Sequence, residues 1–234
     1  MSPIEKARKY WRLGEDRKAI DTLDVAELAT SAEALFLLGD IYNCADSSAG
    51  GGRQSYSRAR KYWLEALQYG SMEAAVELGD LYYFGNGVKQ DFGKVEHYWQ
   101  IAASAGDETG MHKLADLYCE HMPEKIHDAI AYLQSLTYGS SFADHACYRL
   151  GKIYNRGIGV SRNPEVAASW FEAGAKANHG HCLLDLAFLL YKGDGVVKNV
   201  TRAIQLAERA AETEWLKDLA PVFVEQMRSG TLLH

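Results

Sequence analysis

Ala74-Ala75-Val76-Glu77-Leu78-Gly79-Asp80-Leu81-Tyr82-Tyr83-Phe84-Gly85-Asn86-Gly87-Val88 is the stretch whose reading decides the fold. Small and apolar residues return at 74, 78, 81 and 82, the spacing of one helix face. Gly85 and Gly87 then supply the permissive backbone a helix needs to stop and turn back. A second helical pattern follows, with Val95 three residues before Tyr98 and a close at Ala102-Ala103 before Gly106. The segment reads as helix, turn, helix.

The same template recurs along the chain, centred on Leu38-Gly39, Leu78-Gly79, Leu114-Ala115, Leu150-Gly151 and Leu186-Ala187, with steps of 40, 36, 36 and 36 residues. Each copy continues with Tyr42, Tyr82, Tyr118, Tyr154 or Leu190, and then with Ala59, Val95, Ala129, Ala167 or Ala203 on its second helix. Gly-x-Gly-Val turns recur at 85–88, 157–160 and 193–196, and Gly70, Gly106 and Asn178 occupy equivalent places between copies. No useful length alternates with the period of a strand, so an all-α protein of about twelve or thirteen helices is expected.

This pattern, A-x3-L-G-x2-Y-x2-G-x-G-V followed by x-A-x2-W/Y and A-A-x2-G, matches Ala74 to Gly106 and resembles the Sel-1-like repeat family, a relative of the tetratricopeptide repeats. The resemblance implies a right-handed α/α superhelical solenoid with the first helix of each repeat, helix A, on the concave side. It divides the chain into an N-terminal capping pair (1–30), five repeats (31–70, 71–106, 107–141, 142–178, 179–213) and a C-terminal capping helix (214–234). Ser2-Pro3-x-Glu5 reads as a capping-box start, a helix is expected from Asp16 to Ala29, and another from Trp215 to Met227, bent or restarted at Pro221. Two repeats depart from the pattern. The first has a longer loop, Cys44 to Ser55, whose Gly50-Gly51-Gly52 reads as a mobile lip, and the third replaces Gly-x-Gly by Cys119-Glu120-His121-Met122-Pro123.

Composition narrows function. A net charge of −6 argues against nucleic acid or an anionic membrane as the main ligand. The start Met1-Ser2-Pro3-Ile4-Glu5 lacks the pattern of a secretory leader, which gives a cytoplasmic reading. Cys44, Cys119, Cys147 and Cys182 form no CxxC pair, no Gly-x-Gly becomes a phosphate loop, and neither Ser-x-x-Lys nor Lys-Thr-Gly is present. His179-Gly180-His181-Cys182, together with His112, His121, His127 and His145, reads as turn or groove-surface histidines more than a metal site, so no cofactor and no metal is expected. The pairs Tyr10-Trp11, Tyr62-Trp63, Tyr98-Trp99 and Trp170-Phe171 read as core between repeats, with polar tips reaching the surface.

By analogy with tetratricopeptide helices, the residues offered to a ligand are Glu33, Phe36, Asp40, Glu73, Asp80, Tyr83, Phe84, His112, Asp116, Tyr148, Lys152, Arg156, Phe188, Tyr191 and Lys192, with Val76 and Leu184 among their neighbours. The central row Asp40, Asp80, Asp116, Lys152, Phe188 changes sign after the third repeat. A protein or peptide with a basic segment facing repeats one to three is therefore the expected partner, met by an adaptor, a scaffold or a toxin-neutralising immunity protein without catalysis. The alternative is a hydrolase using Asp80, Asp116 and His112.

Overall fold

The computed structural model describes residues 1–25, 28–44, 54–213 and 216–232. Among them are thirteen α-helices and no strand: α1 (Pro3–Arg12), α2 (Asp16–Leu23), α3 (Ala32–Cys44), α4 (Tyr56–Gln68), α5 (Met72–Phe84), α6 (Phe92–Ser104), α7 (Glu108–His121), α8 (Ile126–Leu136), α9 (Ala143–Arg156), α10 (Pro164–Lys176), α11 (Gly180–Lys192), α12 (Val200–Ala211) and α13 (Ala220–Ser229). Residues 1–111 and 112–234 form two compact bodies. Within each, helices pack against their sequence neighbours, as an α/α repeat array requires. Gly50-Gly51-Gly52 and Trp215 lie outside the described residues.

Size matching between the two helices of a repeat explains the Leu-Gly signature. A Cβ on Gly39 would stand 2.4 Å from the Trp63 ring, one on Gly79 2.2 Å from the Trp99 ring, and one on Gly151 2.3 Å from the Phe171 ring. These rings lie at one helix B position, are almost fully buried, and need a helix A with no side chain there. Where that helix B position holds Leu133 or Ala207, the glycine is replaced by Ala115 or Ala187.

The Gly-x-Gly turns serve two purposes. The first glycine caps helix A in the left-handed region, at Gly85, Gly157 and Gly193. The second, Gly87, Gly159 or Gly195, is also left-handed and lies against the start of the preceding helix B, at Tyr56, Ile126 and Pro164. Between repeats, Asn178 (φ 61°) takes the left-handed place held by Gly70 and Gly106 elsewhere.

The ends follow the same logic with adjusted lengths. Ser2 and Glu5 form the expected capping box. The helix beginning at Asp16 ends at Leu23, short of the expected Ala29, and Leu28 folds back onto the cluster of Ala7, Ala19, Leu23, Leu37 and Ile41. The last helix starts at Ala220, with Pro221 in its first turn, where a missing N–H costs nothing. No described helix is long and apolar enough to cross a membrane.

Candidate functional site

The acidic row on helix A begins as a packing device. Trp63 Nε1 donates to Asp40 Oδ1 at 3.1 Å, and Trp99 Nε1 donates to Asp80 Oδ1 at 3.2 Å and to the Val76 carbonyl at 3.1 Å. A buried indole N–H needs an acceptor, and the carboxylate one residue after the close-approach glycine provides it. This corrects one expectation, since the indole tips of Trp63 and Trp99 turn inward, and it gives Asp40 and Asp80 a packing partner. Phe171 has no N–H to satisfy, and the residue in its repeat equivalent to the acid is Lys152. Burial raises the Asp40 carboxyl to about 6, against the lowering effect of the Trp63 bond and the Arg8 charge.

Asp116 is the exception among the three acids of this row, because its repeat carries Leu133 where those of Asp40 and Asp80 carry an indole. Freed from an indole, it accepts from Arg149 Nε at 2.6 Å, while Arg149 also reaches Glu120 at 2.8 Å. His112, one turn earlier on α7, places Nε2 3.7 Å from Asp116 Oδ2. His145, on α9, places Nε2 3.7 Å from Oδ1. Its Nε2 is buried and makes no hydrogen bond. Burial tends to raise the Asp116 pKa, but His145, Arg149 and His112 together hold it below the ordinary carboxylate range. Burial also holds His112 below the usual imidazole value, outweighing the attraction of Asp116.

Rings continue from this cluster along α9 to the start of α11. Phe142 stacks on His112 with centroids 4.5 Å apart, and His112 meets His145 at 4.6 Å. His145 lies 6.4 Å from Tyr148, which in turn lies 5.4 Å from both His179 and His181. Helix A residues meet partners 33 positions on, as in Asp116 with Arg149 and Lys152 with Asp185. His179 also caps α11, accepting from the Cys182 N–H.

The remaining candidates divide. In the first body Tyr83 meets Phe84 edge to face at 5.1 Å and Phe92 at 6.0 Å, and Phe84 is 66% exposed. Phe36 is half-buried, while Glu33 is exposed and paired with Arg8 at 3.1 Å, and Glu73 is exposed and accepts from the Ser71 hydroxyl. In the second body Lys152 pairs with Asp185 at 3.3 Å, and Arg156 and Lys192 are exposed at the ends of their helices. Phe188 is half-buried and lies edge-on to Phe223 of α13 at 4.9 Å, so the capping helix borders the face expected for a ligand. Tyr191 packs partly on the same core, and Val76 and Leu184 are buried in theirs, correcting their placement at the surface. Arg149 and Phe142 were missed, although His112-x3-Asp116 and His145-x3-Arg149 each mark one helix face.

The Sel1 repeat model matches residues 32–69, 73–107, 144–179 and 180–212, more than half of the chain. The chain belongs to the Sel1 repeat family. It is similar to a protective antigen of SLR fold present in uropathogenic Escherichia coli strains, with 25% identity and a TM-score of 0.81, covering 98% of this chain. The chain spans about half of that antigen, 49% of its length. A Sel1 repeat protein from Oxalobacter formigenes is similar in fold over 100% of this chain and 92% of its own, at 18% identity and a TM-score of 0.77. The third helix pair, α7 and α8, lies between the matched Sel1 segments. There a 3₁₀ turn, Pro123–Lys125, stands where other repeats have Gly-x-Gly. The helix pair that departs from the Sel1 pattern contributes His112 and Asp116 to the polar cluster.

Proposed function

We propose that this Sel1 repeat chain is a non-catalytic binding module that holds a protein or peptide against its helix A faces, serving as an adaptor, a scaffold or an immunity protein inside the cell. Sel1 repeats generally mediate protein interactions, which supports the class. The observation that carries the reading is the run of rings Phe142, His112, His145, Tyr148, His179 and His181 along α9 and its neighbours. Flat, partly exposed rings among charges bury area with little loss of side-chain entropy, the property of interface anchors. Tyr83, Phe84 and Phe92 give the first body a patch of the same kind.

Charge contributes less to this reading than the row of acids suggests. Asp40 and Asp80 accept from indoles and Asp116 holds Arg149, so a basic segment opposite repeats one to three would meet carboxylates already engaged. The same engagement weighs against the hydrolase alternative, since a carboxylate held below its usual range by His145, Arg149 and His112 is a poor proton donor.

Affinity purification of the tagged full chain, followed by kinetics on the captured partner, tests the proposal. Phe84→Ala and Tyr148→Ala are expected to speed dissociation, each costing on the order of 2 kcal/mol if the ring is a true anchor. Substitutions at Glu172 and Arg202, paired on helix B surfaces, should leave binding intact. The opposite pattern, with loss at helix B and retention at both rings, places the site on the other face.

A further inference from the structure

We propose that His112, Asp116 and His145 bind a divalent transition-metal ion, with zinc the best chemical match. This goes beyond partner binding and does not depend on it. One donor atom from each residue lies within 4.8 Å of those of the other two. In a tetrahedral zinc site with ligands at about 2.0–2.2 Å, neighbouring donors stand roughly 3.3 Å apart. The 3.7 Å separations of both Nε2 atoms from the Asp116 oxygens need only small side-chain adjustments to reach that distance.

The supports of the site are those a ligand set needs. His112 and Asp116 share one face of α7 by their i,i+4 spacing, and His145 approaches from α9, so the donors come from two helices and converge. Asp116 Oδ1 accepts from Arg149, which fixes the carboxylate as an outer-shell partner does, and lies 3.7 Å from His145 Nε2, while Oδ2 lies 3.7 Å from His112 Nε2. Arg149 is in turn bound by Glu120, so the outer pair adds no net charge to oppose a cation. The buried Nε2 of His145, without a hydrogen bond, is the atom a metal would satisfy. Two imidazole nitrogens and one carboxylate oxygen suit zinc in preference to calcium or magnesium, and leave a fourth position for water.

The test uses the full chain, purified without a polyhistidine tag, stripped with chelator and titrated with zinc chloride by calorimetry. Cobalt(II) absorption then reports the coordination geometry. One zinc per chain and an intense tetrahedral cobalt spectrum are expected. His145→Ala, which removes an atom that makes no hydrogen bond and so should preserve the helical circular dichroism, is expected to weaken binding at least tenfold. His181→Ala, in the neighbouring histidine pair, should leave it unchanged. No saturable binding by the folded wild-type chain, binding that survives His145→Ala, or binding lost with His181→Ala each overturns the assignment. A partner that still binds after chelation leaves the proposed function standing while the metal site is judged by the titration alone.

Discussion

Gly79→Ala is expected to destabilise the protein by about 1–3 kcal/mol, the cost of forcing a methyl group into a filled core. On helix propensity alone, the change should gain roughly 0.5–1 kcal/mol, because alanine loses less backbone entropy than glycine. Sterics reverse the sign. The new Cβ would stand 2.2 Å from both Cδ1 and Nε1 of Trp99, and that ring has little freedom to yield. It is 4% exposed and its N–H is held by the Val76 carbonyl and Asp80. Urea unfolding followed by circular dichroism gives the loss, and Gly79→Ala/Trp99→Leu isolates its cause. If the clash is responsible, the double variant loses less stability than the sum of the two single ones, since leucine opposite alanine is the combination at Ala115 and Leu133. Strict additivity would show that the glycine serves something other than the indole.

This coupling between two helices explains which features were legible in the sequence. The repeat period, the Gly-x-Gly turns and Asn178 are local signals, and each produced the element it implied, because backbone freedom at a turn depends little on distant residues. The acidic row was legible as a row but its role was not. Asp40 and Asp80 stand on the helix A face by periodicity, yet Trp63 and Trp99, 23 and 19 residues away, donate to them. No spacing rule within one helix reveals an indole arriving from the next. The contact of Phe188 with Phe223 of the capping helix was hidden for a similar reason. Asp116 appeared to be a third copy of the first two acids, and its difference lay in Leu133 on helix B. Pairing each helix A acid with the helix B residue of its own repeat would have separated it from the others.

Asp40→Asn is expected to stabilise the first body near neutral pH, by about 2 kcal/mol at most, and to have almost no effect at pH 4. Asparagine keeps an oxygen for the Trp63 N–H, so the hydrogen bond survives while the charge is removed. The pH dependence follows from the carboxyl group itself. In the folded chain burial raises Asp40 to about 6. In the unfolded chain an aspartate titrates near 3.9. Between those values the folded state holds the proton more tightly, so stability falls as pH rises through the window. Above it the carboxylate is ionised in both states, and the full cost of a partly desolvated charge is present. Below pH 4 it is protonated in both, and asparagine offers no advantage. The wild-type protein should therefore lose stability relative to Asp40→Asn as pH rises from 4 to 7, with the difference levelling off above about pH 7. Urea midpoints for the two proteins at pH 4, 5.5 and 7.5 measure it directly. A variant less stable than wild type at pH 7.5 would mean that the attraction of Arg8 for the ionised Asp40 outweighs the cost of burying it, and that the indole is held by a carboxylate.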